Sequence, residues 1–401
     1  MRRSHISSRR EFLAGAATTA AAAGLSVFAG CTTSWAQGVL PADQPYQPST
    51  EPLQLGKLAG NKGILYGAMV TPLRLPWAPA RWATEPYSQL IKRQCSIITN
   101  ATMHFDLVEP ASGQFDFSVP DRIAEYAAGN GLRMRGHALC WYAHFPKWMA
   151  EMDRATAIQA MENHIGVVVA RYAGKVHSWD VVNEALNPSD KAPNAMRISG
   201  FTKTIGWDWM DFAFRAARRA DPHALLTYNE YRIEVTHYGD SDARRAGMLN
   251  LLDDFRRRDI PIDAVGIQSH IDYGSWKYFD ATAYASFLKE IAARGVKIFL
   301  TELDVIDVGS PTDPAERDRS IADVYRTYLS VALDNPTVDV VVDWGLFDTE
   351  AWQNSPSASA SNPYFRRADG TPGRGLPFDS DMRPKLAAEA IAKVFEDTNQ
   401  R

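Results

Sequence analysis

Two glutamates are the residues of this chain best suited to chemistry. Glu184 follows Trp-Asp-Val-Val-Asn, and Glu302 follows Ile-Phe-Leu-Thr. Each lies where a short apolar, β-branched run gives way to polar sequence. In a parallel α/β sheet or barrel, such positions fall at the carboxyl ends of strands, where active sites are built. Two carboxylates that face one cleft predict acid/base or nucleophilic chemistry on a glycosidic bond.

Eight strand-like runs alternate with helical segments, as expected of repeated β/α units. The sequence therefore predicts an α/β fold, a (β/α)8 TIM barrel that forms a single domain over residues 52–401. An open doubly wound sheet is the alternative, although no Gly-x-Gly-x-x-Gly fingerprint follows a strand. The predicted strands are Ile64–Val70, Ser96–Phe105, Arg133–Trp141, Val176–Val182, Leu225–Tyr228, Ala264–Ser269, Lys297–Leu300 and Val338–Trp344.

Polar and aromatic residues collect at the carboxyl ends of these predicted strands. We expect them to line a binding cleft, because core packing alone would not place all of them at one end of a barrel. Each also has a structural interpretation, and His137 in isolation is more often a core histidine. Asn229 is given no role, and Asp304 is interpreted as a loop cap or a backbone contact. The candidate substrate-binding residues are His137, Trp141, Asn183, Tyr228, Gln268, His270, Trp344 and Trp352.

Six motifs in a fixed order make the chain similar to the family-10 glycoside hydrolases, which are mostly endo-β-1,4-xylanases on a (β/α)8 barrel. The segment 179–185 resembles that family's acid/base motif, and Thr-Glu-Leu-Asp at 301–304 resembles its nucleophile motif. The other matching segments are Gly-His-Ala-Leu-Cys-Trp at 136–141, Gln-Ser-His at 268–270, Trp-Gly-Leu-Phe-Asp at 344–348, and Pro-Phe-Asp at 377–379 with Pro384-Lys385.

The resemblance implies a retaining, double-displacement mechanism. Glu184 would act as general acid and then as general base, while Glu302 would be the nucleophile that forms a covalent glycosyl-enzyme. The two carboxyl groups would then lie about 5–5.5 Å apart, as in retaining enzymes. Glu302 has to be ionised while Glu184 carries a proton, so their surroundings must differ.

The same resemblance assigns roles around the carboxylates. His270 would hold Glu302 by a hydrogen bond, and Asn183 would bind the sugar 2-hydroxyl. His137 and Gln268 would position the same sugar or the carboxylates. Apolar faces for the pyranose rings would come from three tryptophans, Trp141, Trp344 and Trp352.

The match fails near the second predicted strand. The family usually presents Glu-Asn-x-x-Lys there, which binds a sugar on the glycone side of the cleavage point. This chain has Asn100, Ala101 and His104 at the Glu, Asn and Lys positions. After the third strand, Tyr142 and His144 stand where His and Gln are common. We therefore expect an altered glycone subsite with Asn100, His104 and His144 as candidate contacts, and a weakened use of plain linear xylan.

The start of the chain predicts an export signal. The twin-arginine pattern Ser-Arg-Arg-Glu-Phe-Leu and the short apolar stretch after it assign residues 1–36 to that signal, and a Pro-rich linker follows over 37–51. Phe-Ala-Gly-Cys resembles a lipobox, which would leave a lipidated Cys31, whereas Ser-Trp-Ala at 34–36 has the form of ordinary cleavage, which we favour. We expect a periplasmic, secreted or lipid-anchored protein.

Charge and cysteine content narrow the partners. The formal net charge of −4 gives no electrostatic footprint for nucleic acid or an anionic membrane surface. The resemblance implies a polysaccharide or oligosaccharide as the partner, and membrane contact is expected only through a lipid on Cys31. Cys95 and Cys140 are too few for a disulfide framework and are expected to be buried thiols, with a single bridge as the alternative. We expect a monomer.

Other chemistries have little support in the sequence. It contains no His-Glu-x-x-His, no zinc-spaced Cys/His cluster, and no Gly-x-Ser-x-Gly. Neither a metal nor a cofactor is predicted. Three alternatives stay open: a transglycosylase, a hydrolase of a different β-glycan, and a catalytically weak glycan-binding protein.

Overall fold

Eight parallel strands close into a barrel. The computed structural model describes residues 52–70, 86–355 and 362–401, so the predictions for residues 1–51 lie outside the described residues. A compact unit runs from Gln54 to Arg401. The strands are β1 (Leu65–Val70), β2 (Ile97–Asn100), β3 (Arg133–Trp141), β4 (Ser178–Asn183), β5 (Leu225–Glu230), β6 (Ala264–Ile267), β7 (His270–Asp272), β8 (Lys297–Ile306) and β9 (Val338–Asp343).

The strand order shows the closure. Neighbours from β1 to β6 pair in sequence, β6 pairs with β8, β8 with β9, and β9 with β1, all in parallel. The short β7 lies outside this ring and pairs with the end of β8. The predicted (β/α)8 barrel is therefore confirmed, and the open sheet is excluded.

Helices surround the barrel. Within the described ranges, none of them is long and apolar enough to cross a membrane. The α-helices are α1 (Leu55–Gly60), α2 (Pro86–Gln94), α3 (Phe105–Val108), α4 (Ser118–Gly129), α5 (Arg154–Arg171), α6 (Gly200–Thr204), α7 (Trp209–Ala220), α8 (Ser241–Arg257), α9 (Ala281–Ala292), α10 (Pro314–Leu333) and α11 (Leu386–Asp397). Short 3₁₀ turns occupy Tyr142–His144, Lys147–Met149, Pro188–Asp190, Pro193–Ala195, Tyr273–Tyr278, Asp348–Glu350, Trp352–Asn354 and Pro363–Phe365.

Two strands differ from the predicted bounds by more than two residues at one end. β2 ends at Asn100 instead of Phe105, because Asn100 Oδ1 accepts hydrogen bonds from the Thr102 N–H at 3.2 Å and the Thr102 hydroxyl at 2.6 Å and turns the chain. β8 runs on to Ile306, because β7 provides a partner for its last three residues. Glu302 therefore lies inside a strand and not just after one.

The core changes from apolar to charged along the barrel. An apolar cluster near the amino ends of the strands comprises Leu65, Ile97, Leu225, Ala264, Phe299, Val340 and Val342. The fully buried Arg135 lies above it, with its guanidinium carbon 5.7 Å from the Phe299 ring centre. The two cysteines, Cys95 and Cys140, are free and buried, which confirms that prediction, and burial raises the pKa of each thiol.

Close contact between β1 and β2 gives a stability prediction. A Cβ atom at Gly67 would lie 1.6 Å from the Ile97 carbonyl oxygen, whereas a Cβ at Gly129, at the end of α4, would meet nothing within 4 Å. We expect Gly67→Ala to lower the free energy of unfolding by about 1–3 kcal/mol or more, since backbone would have to move. Gly129→Ala should leave it unchanged or raise it by up to about 1 kcal/mol.

Urea denaturation of both variants beside the wild type measures this difference. Equal unfolding midpoints for Gly67→Ala and Gly129→Ala would show that the β1–β2 contact is not under this constraint.

Candidate active site

The two glutamates predicted to do the chemistry lie at the carboxyl-end rim of the barrel. Glu302 is inside β8 and only 4% exposed, and Glu184 directly follows β4 and is partly exposed. The Glu184 backbone is left-handed, with φ of 58°, and its N–H donates to the Asn229 carbonyl at 2.9 Å. The two side chains thus differ in burial at one end of one cleft.

Each carboxylate oxygen of Glu302 has a hydrogen-bond partner. Asn229 Nδ2 donates to Oε1 at 2.7 Å, and His270 Nε2 lies 3.1 Å from Oε2. The Thr301 hydroxyl donates to Asn229 Oδ1 at 2.6 Å, which fixes the amide so that its NH2 points at Glu302. These contacts compensate the carboxylate for the water that it loses on burial.

His270 is held between two carboxylates. Its Nδ1 lies 2.9 Å from Asp304 Oδ1, and Trp352 Nε1 donates to Asp304 Oδ2 at 2.7 Å. Burial alone would lower the pKa of His270, but the charges and hydrogen bonds of Asp304 and Glu302 outweigh it and raise the pKa to about 10. His270 is therefore an imidazolium at neutral pH, with both ring N–H groups donating to carboxylates.

His137 approaches Glu302 from β3. Its Nδ1 lies 2.8 Å from Asp180 Oδ2 and 4.0 Å from Glu302 Oε1. Asp180 is fully buried and also accepts from the Arg135 guanidinium. Burial of His137 opposes its charged form, but the hydrogen bond to Asp180 and the charge of Glu302 raise its pKa. Arg135, Asp180 and His137 thus form a continuous series of polar contacts from the core to the cleft.

Neutral amides surround Glu184. Gln268 Nε2 donates to Glu184 Oε1 at 3.0 Å and to Asn183 Oδ1 at 3.2 Å, and Asn183 Nδ2 lies 3.3 Å from the same Glu184 oxygen. Asn229 Nδ2, which serves Glu302, also donates to Asn183 Oδ1 at 2.9 Å. One amide network therefore joins the two carboxyl groups, while the imidazolium of His270 contacts Glu302.

Partly exposed aromatic rings border the carboxylates, as expected for sugar-stacking faces. Trp344 lies between the two histidines, with ring centres 5.3 Å from His137 and 6.2 Å from His270. Trp352 lies 5.5 Å from His270, and Trp141 lies 6.3 Å from His137. The three tryptophans are thus grouped around the same catalytic centre.

Two candidate substrate-binding residues, Tyr228 and Asn100, are fully buried and do not reach the cleft surface. The predicted contact of these two residues with substrate is therefore wrong. Tyr228 is fully buried and donates its hydroxyl to Glu230 Oε2 at 2.6 Å. Asn100 is fully buried, and its Nδ2 donates to the Pro120 carbonyl at 3.1 Å. Both side chains are used for structure.

The other two strand-two and strand-three candidates do join the site. His104 and His144 stack with ring centres 4.0 Å apart, and His104 lies 5.4 Å from His137 and 5.2 Å from Trp141. His144 Nδ1 is 2.6 Å from Asp106 Oδ1. The two histidine rings thus continue the row of aromatic side chains beyond Trp141.

Three residues of the charge network had no predicted role. Asn229 bridges the carboxyl groups, Asp304 charges His270, and Asp180 links His137 to the core. A carboxylate in the middle of a strand, between Trp179 and Val181, is a sequence signal for a buried charge partner. Asp304 lies two residues from Glu302 in β8 and so shares its side of the strand.

Three histidines of the cleft contact acidic side chains: His137 contacts Asp180, His144 contacts Asp106, and His270 contacts both Glu302 and Asp304. Within the part of the chain that the structure describes, no group of three or more His, Cys, Asp or Glu side chains is arranged to hold a metal ion. The chemistry available from these residues is proton transfer and nucleophilic attack by carboxylates.

A closed barrel with two glutamates, paired histidines and tryptophans at one rim is the architecture of a (β/α)8 carbohydrate-cleaving enzyme. The model of glycosyl hydrolase family 10 matches residues 55–394. The chain belongs to glycoside hydrolase family 10. The resemblance and the prediction of a glycoside hydrolase are thereby confirmed.

Similar proteins share most of their length with this chain. Endo-1,4-β-xylanase B of Thermotoga neapolitana is 30% identical over 317 residues, which cover 78% of this chain and 84% of the relative. Endo-1,4-β-xylanase A of Phanerodontia chrysosporium is 33% identical over 352 residues, covering 86% and 78%. The crystal structure of xylanase 10B from Thermotoga petrophila in complex with xylobiose is 27% identical, with a TM-score of 0.74 over 87% of this chain and 99% of that one.

The two carboxylates that contact His270 lead to a prediction about the pH dependence of its protonation. Its pKa of about 10 lies above the ordinary value of 6.5, so the stability that the charged ring contributes is complete below pH 6.5 and is lost as pH rises through about 10. We expect ¹⁵N NMR of labelled histidine, assigned with His270→Asn, to show His270 losing its proton near pH 10. Asp304→Asn should lower this pKa, because Asp304 provides the largest favourable charge.

Asp334→Asn, at an exposed position on the outer helix layer, is the matched control and should leave the His270 titration unchanged. Loss of the His270 proton below pH 7 in the wild type would contradict the assignment of an imidazolium.

Proposed function

We propose that this chain is a retaining endo-β-1,4-xylanase that cleaves xylan or a related β-1,4-linked plant polysaccharide. The observation that carries the proposal is the contrast between a buried Glu302 held by an imidazolium and a more exposed Glu184 held by neutral amides. Such a pair suits a nucleophilic carboxylate and a carboxyl group that gives and takes a proton during the reaction. The xylanase names of the similar proteins, and the xylobiose in one of their structures, support this substrate class.

The first step forms a glycosyl-enzyme. A carboxylate oxygen of Glu302 attacks the anomeric carbon while the bond from that carbon to the leaving oxygen breaks. Glu184 gives its proton to the leaving oxygen, which departs as a hydroxyl of the shortened chain. The anomeric configuration is inverted in this step.

The second step releases the sugar. Glu184, now a carboxylate, takes a proton from water, and the water oxygen attacks the anomeric carbon. The bond to Glu302 breaks, Glu302 regains its negative charge, and the configuration is inverted again. Two inversions return the original anomer, which is the meaning of a retaining mechanism.

The amide network prepares Asn183 for the sugar. Its Oδ1 is occupied by hydrogen bonds from Asn229 and Gln268, so its NH2 group is the one directed at the Glu184 carboxyl oxygen, 3.3 Å away. An NH2 in this position can donate to the 2-hydroxyl of a sugar on Glu302, a contact that strengthens in the transition state. This supports the role that the resemblance gave to Asn183.

Substitution of the two carboxylates tests the mechanism. On xylan, we expect Glu184→Gln to lower kcat/KM about 10²–10⁴-fold, the usual share of a general acid, and Glu302→Gln to lower it roughly 10⁴-fold or more. On 2,4-dinitrophenyl β-xylobioside, Glu184→Gln should retain most of its kcat/KM, because that leaving group departs without a proton. Glu302→Gln should lose both substrates, and ¹H NMR should show the β-anomer as first product of the wild type.

The exposed Glu290→Gln, on α9, is the matched control and should behave as the wild type. An α-anomeric first product, or full activity of Glu302→Gln, would reject the retaining mechanism. Longer products at high oligosaccharide concentration would favour a transglycosylase, cleavage of another β-glycan alone would favour that substrate, and binding without any product would favour a glycan-binding protein.

We also propose that the glycone subsite beyond the first sugar is weakened. His104 stands where the family usually has a Lys, and burial together with the nearby His144 and His137 holds the pKa of His104 well below its usual range. It is therefore a neutral ring at neutral pH. Asn100, at the family's Glu position, has its amide engaged with Thr102 and Pro120. A sugar here meets two stacked histidine rings, of which His104 is neutral, in place of an ammonium and a carboxylate.

The contribution of the second glycone sugar measures this subsite. It is the ratio of kcat/KM for 4-nitrophenyl β-xylobioside to that for 4-nitrophenyl β-xyloside. Each missing charge-assisted hydrogen bond is worth about 1.5–3 kcal/mol, so we expect a ratio about 10-fold or more below that of an ordinary family-10 xylanase. His104→Lys should raise the ratio, whereas His223→Lys, at an exposed position, should not.

A ratio equal to that of an ordinary family member would contradict the weakened subsite. It would leave the mechanism of Glu184 and Glu302 untouched, because both substrates share the same leaving group.

A further inference from the structure

Glu184, the proposed acid/base residue, adopts a backbone conformation that is unfavourable for a residue other than glycine. Glu184 has φ of 58°, in the left-handed region that residues with a Cβ atom seldom occupy. Such a conformation persists when the surroundings determine it. The direction of the Glu184 side chain follows from this backbone, so whatever holds the backbone also aims the carboxyl group.

Arg197 binds three successive carbonyl groups of this segment. Its Nε donates to the Glu184 carbonyl at 2.7 Å, its backbone N–H to the Ala185 carbonyl at 2.7 Å, and its Nη2 to the Leu186 carbonyl at 3.2 Å. The turn that carries the acid therefore folds around Arg197, and Arg244 Nη1 adds a hydrogen bond to the Leu186 carbonyl at 2.7 Å.

The guanidinium is itself fixed in place. Its central carbon lies 3.8 Å from the centre of the Tyr142 ring, and Nη2 donates to the Tyr231 hydroxyl at 3.1 Å. On the other side of the turn, the buried Glu230 accepts from the Leu186 N–H at 3.1 Å. Tyr142 directly follows Trp141, so Arg197 also links the turn that carries Glu184 to the tryptophans around the cleft.

We propose that Arg197 is a positioning residue for proton transfer by Glu184. By holding the Glu184 carbonyl in the left-handed turn, it fixes the direction from which the carboxyl group reaches the glycosidic oxygen. The planar fork of arginine reaches the carbonyls of residues 184 and 186 from two nitrogens in a fixed geometry, whereas the ammonium of a lysine is a single donor centre on a flexible stem. The inference rests on the proposed function, in which Glu184 is the general acid.

A purely structural arginine is the competing explanation, and leaving-group dependence separates the two. A misdirected acid slows only those substrates whose leaving group needs a proton. A loosened structure slows all substrates alike. The series of aryl β-xylobiosides from 2,4-dinitrophenyl to phenyl therefore reports on the aim of Glu184, and the slope of log kcat/KM against the leaving-group pKa is the readout.

Four variants complete the experiment: Arg197→Gln, Arg197→Lys, Glu184→Gln and Arg218→Gln. Arg218 is the matched control, since it also donates to two backbone carbonyls, those of Pro222 at 3.1 Å and Ala224 at 3.0 Å, just before β5 at the opposite end of the barrel. We expect Arg197→Gln to lower kcat/KM about 10- to 100-fold for the phenyl glycoside, the effect of a small misplacement. For the dinitrophenyl glycoside it should fall less than about 3-fold, and Arg197→Lys should lie between.

Each outcome decides a different point. A loss by Arg197→Gln that is uniform across the series, or a slope as steep for Arg218→Gln, would overturn the positioning role. If Arg197→Gln does not fold, Arg197→Lys is judged by the same slope. If Glu184→Gln itself leaves the slope unchanged, the proposed function fails, which is distinguishable from failure of the inference about Arg197.

Discussion

The site depends on keeping one carboxylate ionised where water is nearly absent. Glu302 is 4% exposed, and an ionised carboxylate at that depth is stable only if hydrogen-bond donors and positive charge replace its hydration. Asn229 and His270 provide one partner for each oxygen. Each donor in turn has its own orienting partner, Thr301 for the amide and Asp304 for the imidazolium, so the requirement spreads outward through the rim.

The barrel is what allows these partners to meet. They come from β3, β5, β7 and β8, which are far apart in sequence but share one end because every strand of the ring is parallel. The charged residues also extend from the rim of the barrel into its core. Asp180 is neutralised by Arg135, which rests on Phe299 of the apolar cluster. The same residues that complete the core therefore orient His137, so stability and site geometry are tied together in β3 and β4.

Sequence reasoning located the strand ends well and the side-chain directions less well. β3 was predicted with its observed bounds, and both glutamates were placed at the rim because apolar runs end there. Tyr228 and Asn229 are neighbours in β5, and successive strand side chains point to opposite faces, so the two could not both face the site. Which of them does so depends on the Thr301 hydroxyl from another strand, a contact that spacing in one sequence does not reveal.

Asn100 shows a second limit of the same reasoning. The strand was predicted to run to Phe105, but the Asn100 side chain ends it through Thr102 and is thereby withdrawn from the cleft. The prediction for Asp304 was wrong in the opposite sense, because it left out of the site a residue that belongs to it. As a loop cap it would have been ordinary, but the extension of β8 by β7 places it beside His270. In both cases a polar side chain could either stabilise the local backbone or contribute to the site, and contacts with other parts of the fold determine which of the two it does.

The closed charge balance around Glu302 explains how the chain can depart from its family on the glycone side without losing its catalytic centre. Asp304 pairs with His270, and Asp180 pairs with both His137 and Arg135, so none of these groups takes a lysine at position 104 as its partner. His104 meets this network only through the edge of the His137 ring, at 5.4 Å. A change at position 104 therefore alters what the outer sugar contacts while the charges that act on the bond stay fixed. The contacts that orient the two glutamates and the contacts of the proposed glycone subsite are therefore separate sets in this barrel.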